Sequence, residues 1–202
     1  MKKACELDVN IFDIAEIYGT GTANAIMSKV LKKIGAEKED LIITTILIYC
    51  RSGPNNSLLS RKRLLEELCS LKQLDLDYVD VVFYHRPDTH TPIDETYRAL
   101  DWIIEECYAF YWAISEWTAD QIDIAMDICE KENLHMPIAD QCQYNALFRE
   151  DFEKNLRHSY ENYKKEGSTV WSLFTIEFLT AKYISGEFPE GSRFHPNNKE
   201  LV

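Results

Sequence analysis

The sequence predicts an α/β fold built on a parallel sheet. Two observations carry this. Short runs of β-branched and aromatic residues alternate with longer amphipathic runs, and the alternation repeats about every thirty residues. Strand and helix in strict alternation imply right-handed βαβ units, because a crossover helix must return each strand to the same end of the sheet.

Six strands and six helices follow in order. "VNIFD" (9–13) is the first strand. Residues 22–35 place Ala25, Ile26, Val30, Leu31 and Ile34 at helical spacing, and Gly35 suits the position just past the last turn. "LIITTILI" (41–48) is the second strand. Ser60 can cap the helix of residues 61–76. "YVDVVFYH" (78–85) is the third strand. Thr91-Pro92 reads as a cap and first turn for a helix over 91–106. "AFYWAIS" (109–115) is a strand, and Thr118 caps a helix over 118–134. "MPIADQCQY" (136–144) is the fifth strand, 149–167 a polar helix, "STVWSLF" (168–174) the sixth strand and 175–186 the last helix.

The bulk properties narrow the function. Of 202 residues, 46% are hydrophobic and 12% aromatic, enough for a sizeable core. A net charge of −12 argues against a nucleic-acid surface and against docking on anionic lipid. Arg61-Lys62-Arg63, at a predicted helix start, reads as a solvated face. The cysteines (5, 50, 69, 107, 129, 142) form no CxxC pair and have no metal spacing, so they read as reduced, small apolar side chains. No apolar run approaches the roughly 18 residues that a membrane span requires, and two lysines near the start precede no apolar core of a signal peptide.

Two architectures fit the alternation: a doubly wound open sheet and a (β/α)8 barrel. The first strand is followed by "GTGTAN" (19–24), which lacks the third glycine of a dinucleotide-binding loop, so it reads as a turn. The polar residues at the strand ends favour the barrel. Asp13 ends the first strand with Tyr18 five residues on. His85 ends the third, Ser115 the fourth; Asp140, Gln141 and Gln143 lie along the fifth; Trp171 and Ser172 end the sixth. In a barrel these converge on the carboxyl face, where active sites lie. A phenol beside a His and an Asp is a proton-transfer set, since neighbours can tune the phenol's pKa.

The stretches "VNIFDIAEIYGTG", "LIITTI", "SGPNNSLLSRK", "LDLDYVDVVFYHRPDTHTPIDETYRAL", "AFYWAISEWTADQI", "QCQYN", "VWSLF" and "GEFPEGSRF" resemble the aldo-keto reductases, collinearly over residues 8–195. Within that superfamily they are similar to the β-subunits of voltage-gated potassium channels, and "GPNN…LSRK" and "AFYW…SEW" to the plant type. The resemblance implies a (β/α)8 TIM barrel of aldo-keto reductase type, here incomplete, with strands two to seven present and strands one and eight missing. It implies one NADPH-dependent oxidoreductase domain over 1–202, a cytoplasmic location, a potassium channel α-subunit as partner and membrane contact only through that partner. Homo-oligomers are expected from the family and from the unpaired edges at "VNIFD" and "TVWSL".

The same resemblance assigns residues. Its catalytic Asp, Tyr and His fall on Asp13, Tyr18 and His85; its catalytic Lys falls on Ile46. Cofactor-contacting positions fall on Asp13, His85, Ser115, Gln141, Trp171, Ser172, Lys182 and Arg193. Glu116 matches the plant-type "SEW". Departures from the family pattern are Ala113, Ile114, Leu173, Phe174, Ala181 and Glu177, the last in place of a glycine. Without the lysine, Tyr18 should donate its proton poorly and Asp13 should take up a proton or reach water. The expectation is therefore a channel β-subunit-like member with impaired catalysis and NADPH binding weakened or lost. The alternatives are an active aldehyde or ketone reductase and a non-functional product of a degenerate gene.

Overall fold

The computed structural model describes residues 1–15, 18–35, 37–47, 60–68, 76–88, 90–162 and 167–198. Its elements are α1 (Lys2–Cys5), β1 (Ile11–Ala15), α2 (Ala23–Ile34), β2 (Ile42–Leu47), α3 (Arg61–Leu68), β3 (Val79–His85), α4 (Ile93–Glu105), β4 (Ala109–Ser115), α5 (Ala119–Glu132), β5 (Ala139–Gln143), α6 (Arg157–Asn162) and β6 (Gly167–Trp171). The six strands form one sheet in the order β1-β2-β3-β4-β5-β6, every pair parallel. A doubly wound sheet would reverse this order at a switch point; it never reverses, so the winding is that of a barrel wall.

The wall is curled. Gln141 on β5 reaches Asp13 on β1, with Nε2 3.5 Å from Oδ2. Four strand spacings in a flat sheet would separate those strands by roughly 19 Å. β1 and β6 are the edges of this partial barrel among the described residues.

Alternation along the strands gives the wall two faces. Ile14, Ile43, Val82, Tyr84, Trp112 and Ile114 point outward and pack with Leu31 of α2, Leu64 of α3, Leu100 and Ile103 of α4 and Ile122 and Met126 of α5. Ala15, Ile46, Phe83 and Ala113 point inward and form a separate small cluster. They are consecutive register partners on β1 to β4.

Helix ends follow local chemistry. Gly35 takes the left-handed conformation (φ 63°, ψ 31°) that ends α2 without a Cβ clash. Thr118 and Gln121 close a reciprocal capping box at the start of α5. The Arg63 N–H lies 3.5 Å from Ser60 Oγ at the start of α3, and the Arg63 side chain is buried, not part of a solvated face; residues 69–75 of the predicted 61–76 helix lie outside the described residues, and Leu76 is not helical.

Several expectations are corrected. The predicted apolar face of α2 is rotated: Asn24, Met27, Ser28 and Leu31 are buried at i, i+3, i+4, i+7, whereas Ile26 stands in solvent. α4 begins one turn position later than predicted. Pro92 is extended and occupies the cap, while the Thr91 hydroxyl donates to Asp88 Oδ2 at 2.6 Å. The 149–167 helix is a π-helical turn, Asp151–Asn155, followed by the short α6. Its apolar stripe is only Phe152, Leu156 and Tyr160, too few contacts to impose one regular pitch. The 175–186 helix does not form. Thr175, Ile176 and Glu177 have φ of 47°, 54° and 81°, incompatible with a right-handed helix. Phe178, Tyr183, Phe188 and Phe194 pack on one another instead.

Leu100 is fully buried, whereas Leu147 is 57% exposed. Leu100→Ala is expected to lower unfolding free energy by about 2–5 kcal/mol, and Leu147→Ala by less than about 0.5 kcal/mol, measured by urea denaturation.

Candidate functional site

The site is built by register. Asp13 pairs with Thr44 across β1 and β2, and Ala15 with Ile46 one step nearer the carboxyl end. At that end His85, Ser115 and Gln141 are register partners on β3, β4 and β5. Parallel strands present the same end together, so residues far apart in sequence line one rim.

Asp13 stands on the edge strand in contact with solvent. The Thr44 hydroxyl donates to its Oδ1, and the Gln141 amide approaches Oδ2. Burial of the carboxyl beside the wall pushes its pKa up; the Thr44, Gln141 and Ile14 donors oppose this, and among the described residues no cation acts on it. Contact with water limits the size of the shift. The inward side chain next to this pair is Ile46, 5% exposed among Ala15, Phe83 and Ala113.

Tyr18 opens a 3-10 turn, Tyr18–Gly21, and is 46% exposed. Burial of the remainder raises its pKa and the Asp13 charge adds to the rise. Among the described residues no hydrogen bond joins Tyr18 to Asp13 or His85. The His85 ring is held below its usual pKa, first by burial and then by the Arg86 guanidinium, with the Glu116 carboxylate opposing. Its Nδ1 is buried and has no hydrogen-bond partner among the described residues.

Ser115 Oγ donates to the Gln141 carbonyl at 2.8 Å, tying β4 to β5 at the rim. Ser172 lies just past β6 at φ 57°, and its carbonyl accepts from Asn145 Nδ2 at 3.0 Å. The chain leaves β3 and β4 in the same way, through left-handed Arg86 (φ 58°) and Glu116 (φ 61°). A non-glycine residue in that region costs about 1–3 kcal/mol, and such strain clusters at functional sites.

Lys182 and Arg193 lie in the segment after β6. Both meet Glu177: Lys182 Nζ is 3.1 Å from Oε1, and the Tyr183 hydroxyl (3.1 Å) and Arg193 N–H (3.4 Å) donate to Oε2. Two rim residues escaped the sequence reading. Asn145 braces the loop after β5 by accepting from the Leu147 and Phe148 N–H groups. Glu116 accepts from the Gln143 main chain and the Trp171 indole. The "SEW" stretch marked Glu116 without revealing its partners, which come from two later strands.

The aldo/keto reductase family model matches residues 1–201. The chain belongs to the aldo/keto reductase family. It is 42% identical over 198 residues to a probable voltage-gated potassium channel subunit beta of Oryza sativa subsp. japonica, covering 97% of this chain and 60% of the relative. A putative voltage-gated potassium channel subunit beta of Schizosaccharomyces pombe is 44% identical over 196 residues, covering 96% and 56%. A probable voltage-gated potassium channel subunit beta of Arabidopsis thaliana is 42% identical over 191 residues, covering 94% and 58%. The chain thus spans about 56–60% of the length of the curated relatives it matches. Among the described residues no helix is long and apolar enough to cross a membrane, and no cluster of His, Cys, Asp or Glu could hold a metal.

The wall's most perturbed carboxyl faces away from this rim. Asp140 is fully buried on the outer face of β5, where the Tyr160 hydroxyl of α6 donates to Oδ2 at 2.7 Å and Oδ1 has no hydrogen-bond partner among the described residues. Burial pushes its pKa up to about 7; the Tyr160 bond opposes the rise and the Glu116 charge adds to it. Between the ordinary value and about 7 the folded state binds more protons than the unfolded chain, so stability falls as pH rises. The contribution is complete near pH 4 and lost above about pH 7. Asp140→Asn keeps an acceptor for Tyr160, and is expected to flatten the decline in urea midpoint between pH 5 and pH 8.

Proposed function

We propose that this chain is a potassium channel β-subunit-like aldo-keto reductase that binds NADPH at the carboxyl rim and has weak reductase chemistry. The observation that carries the second half is Ile46. It is buried, inward and one layer above the Asp13–Thr44 pair, at the position that the sequence resemblance gives to a lysine. A lysine there would neutralise Asp13 and favour the deprotonated phenol of Tyr18. With Ile46, burial raises the pKa of Tyr18 and the Asp13 charge adds to the rise, so the phenol holds its proton more tightly at the moment a carbonyl oxygen would need it.

The residues present fit one end of the cofactor. His85 offers a buried ring nitrogen without a partner, beside Ser115 and Gln141. An unpaired buried polar atom is costly, and a ligand amide or hydroxyl at the rim would satisfy it. NADPH supplies the hydride when bound. His85, Ser115, Gln141, Trp171 and Ser172 would hold it there, and Tyr18 would hold the proton given to the substrate oxygen. Lys182 and Arg193 would hold its phosphates, but Glu177 occupies Lys182. Relatives named as channel β-subunits support association with a channel α-subunit, and hence a cytoplasmic position against the membrane through that partner.

NADPH consumption with 4-nitrobenzaldehyde tests the chemistry. Ile46→Lys is expected to raise turnover by at least roughly a hundredfold; strong wild-type turnover unchanged by Ile46→Lys contradicts this account. Nicotinamide fluorescence on titration reads binding separately. Glu177→Gly frees Lys182 and relaxes φ 81°. It is expected to tighten NADPH binding by roughly threefold to tenfold, in a salt-dependent manner.

A further inference from the structure

A single carboxylate ties three strand ends together at the rim. Glu116 follows β4 directly and adopts φ 61°. Its Oε1 accepts the main-chain N–H of Gln143, the last residue of β5, at 2.9 Å. The same oxygen accepts the indole N–H of Trp171, the last residue of β6, at 2.7 Å. Gln143 and Trp171 are register partners, so one carboxylate spans β4, β5 and β6 where the wall's edge is least supported: β6 is exposed along its whole length. Indole has one polar atom, a donor, and a charge-assisted bond to a carboxylate is short and directional. Freed from it, a side chain 37% exposed on an edge strand would sample other rotamers.

We propose that Glu116 is a positioning residue that clamps the Trp171 indole in one orientation at the rim, so that its ring is preorganised to pack against a planar aromatic group of a bound dinucleotide. This rests on the reading of the rim as an NADPH site. Preorganisation acts by removing the ordering cost at binding, so loss of the clamp weakens affinity without touching the ligand. The left-handed backbone is part of the arrangement. It is a conformation in which glycine is at ease and glutamate is not, yet only the glutamate supplies the bridging oxygen.

The test uses Glu116→Gly, which suits the backbone and removes the acceptor, and Glu116→Gln, which keeps an acceptor oxygen. Trp171→Phe defines the share of tryptophan emission that belongs to Trp171. Circular dichroism confirms that each variant folds. Glu116→Gly is expected to red-shift the Trp171 emission, at least double its acrylamide quenching constant and raise the NADPH dissociation constant roughly tenfold or more. Glu116→Gln is expected to remain within about twofold of wild type in both measurements. Glu116→Gly with unchanged emission and affinity overturns the proposal. Equal loss of affinity in both variants with unmoved emission also overturns it, because the carboxylate would then act by charge. If wild type shows no NADPH binding, the cofactor reading fails by itself. The emission of Glu116→Gly against Glu116→Gln then still decides whether the clamp exists, and no difference between them rejects it.

Discussion

The parallel hydrogen-bond register from β1 to β6 governs everything that happens at the rim. A parallel ladder fixes both which residues stand level and which face they take. It places Asp13 beside Thr44, Ala15 beside Ile46, Ile46 beside Phe83, and His85, Ser115 and Gln141 in a row. A slip of one residue in any pair would turn the rim residues outward into the helix layer. The curl of the wall completes the arrangement, because only a curved sheet lets the Gln141 amide approach Asp13 from four strands away.

The two faces of the wall treat carboxylates in opposite ways. Asp13 faces inward on an edge strand, touches solvent and is held by neutral donors. Asp140 faces outward under α6, is sealed from water and keeps one oxygen unpaired. Burial acts on both, but only the sealed group is driven to a pKa near neutrality. Among the described residues, the inward side chains one layer above Asp13 on β1 to β4 are Ala15, Ile46, Phe83 and Ala113, all apolar.

Much of the fold was legible in local chemistry. β3 and β4 match the predicted strands within one residue, because β-branched and aromatic runs of that length have no helical alternative. The Thr118 capping box and the Gly35 terminus followed from the residues that provide them. The reading failed where side chains had to choose between partners. In α2, Ile26 is more apolar than Asn24 or Ser28, yet the latter two are buried, because the wall dictates which face docks. In 175–186 a helix-compatible sequence yields to three left-handed residues and an aromatic cluster.

The sequence by itself determined the alternation, the strand-end polar residues and the substitution at position 46, since these depend on residue type and order along the chain. Only the tertiary structure decided that Ile46 is sealed in an inner layer, that Asp140 is the strongly perturbed carboxyl, and that Glu116 joins β4 to β5 and β6. The physical reason is range. Propensity and periodicity act over a few residues, whereas burial and hydrogen-bond partners are set by strands brought level across 27 or 55 residues of chain.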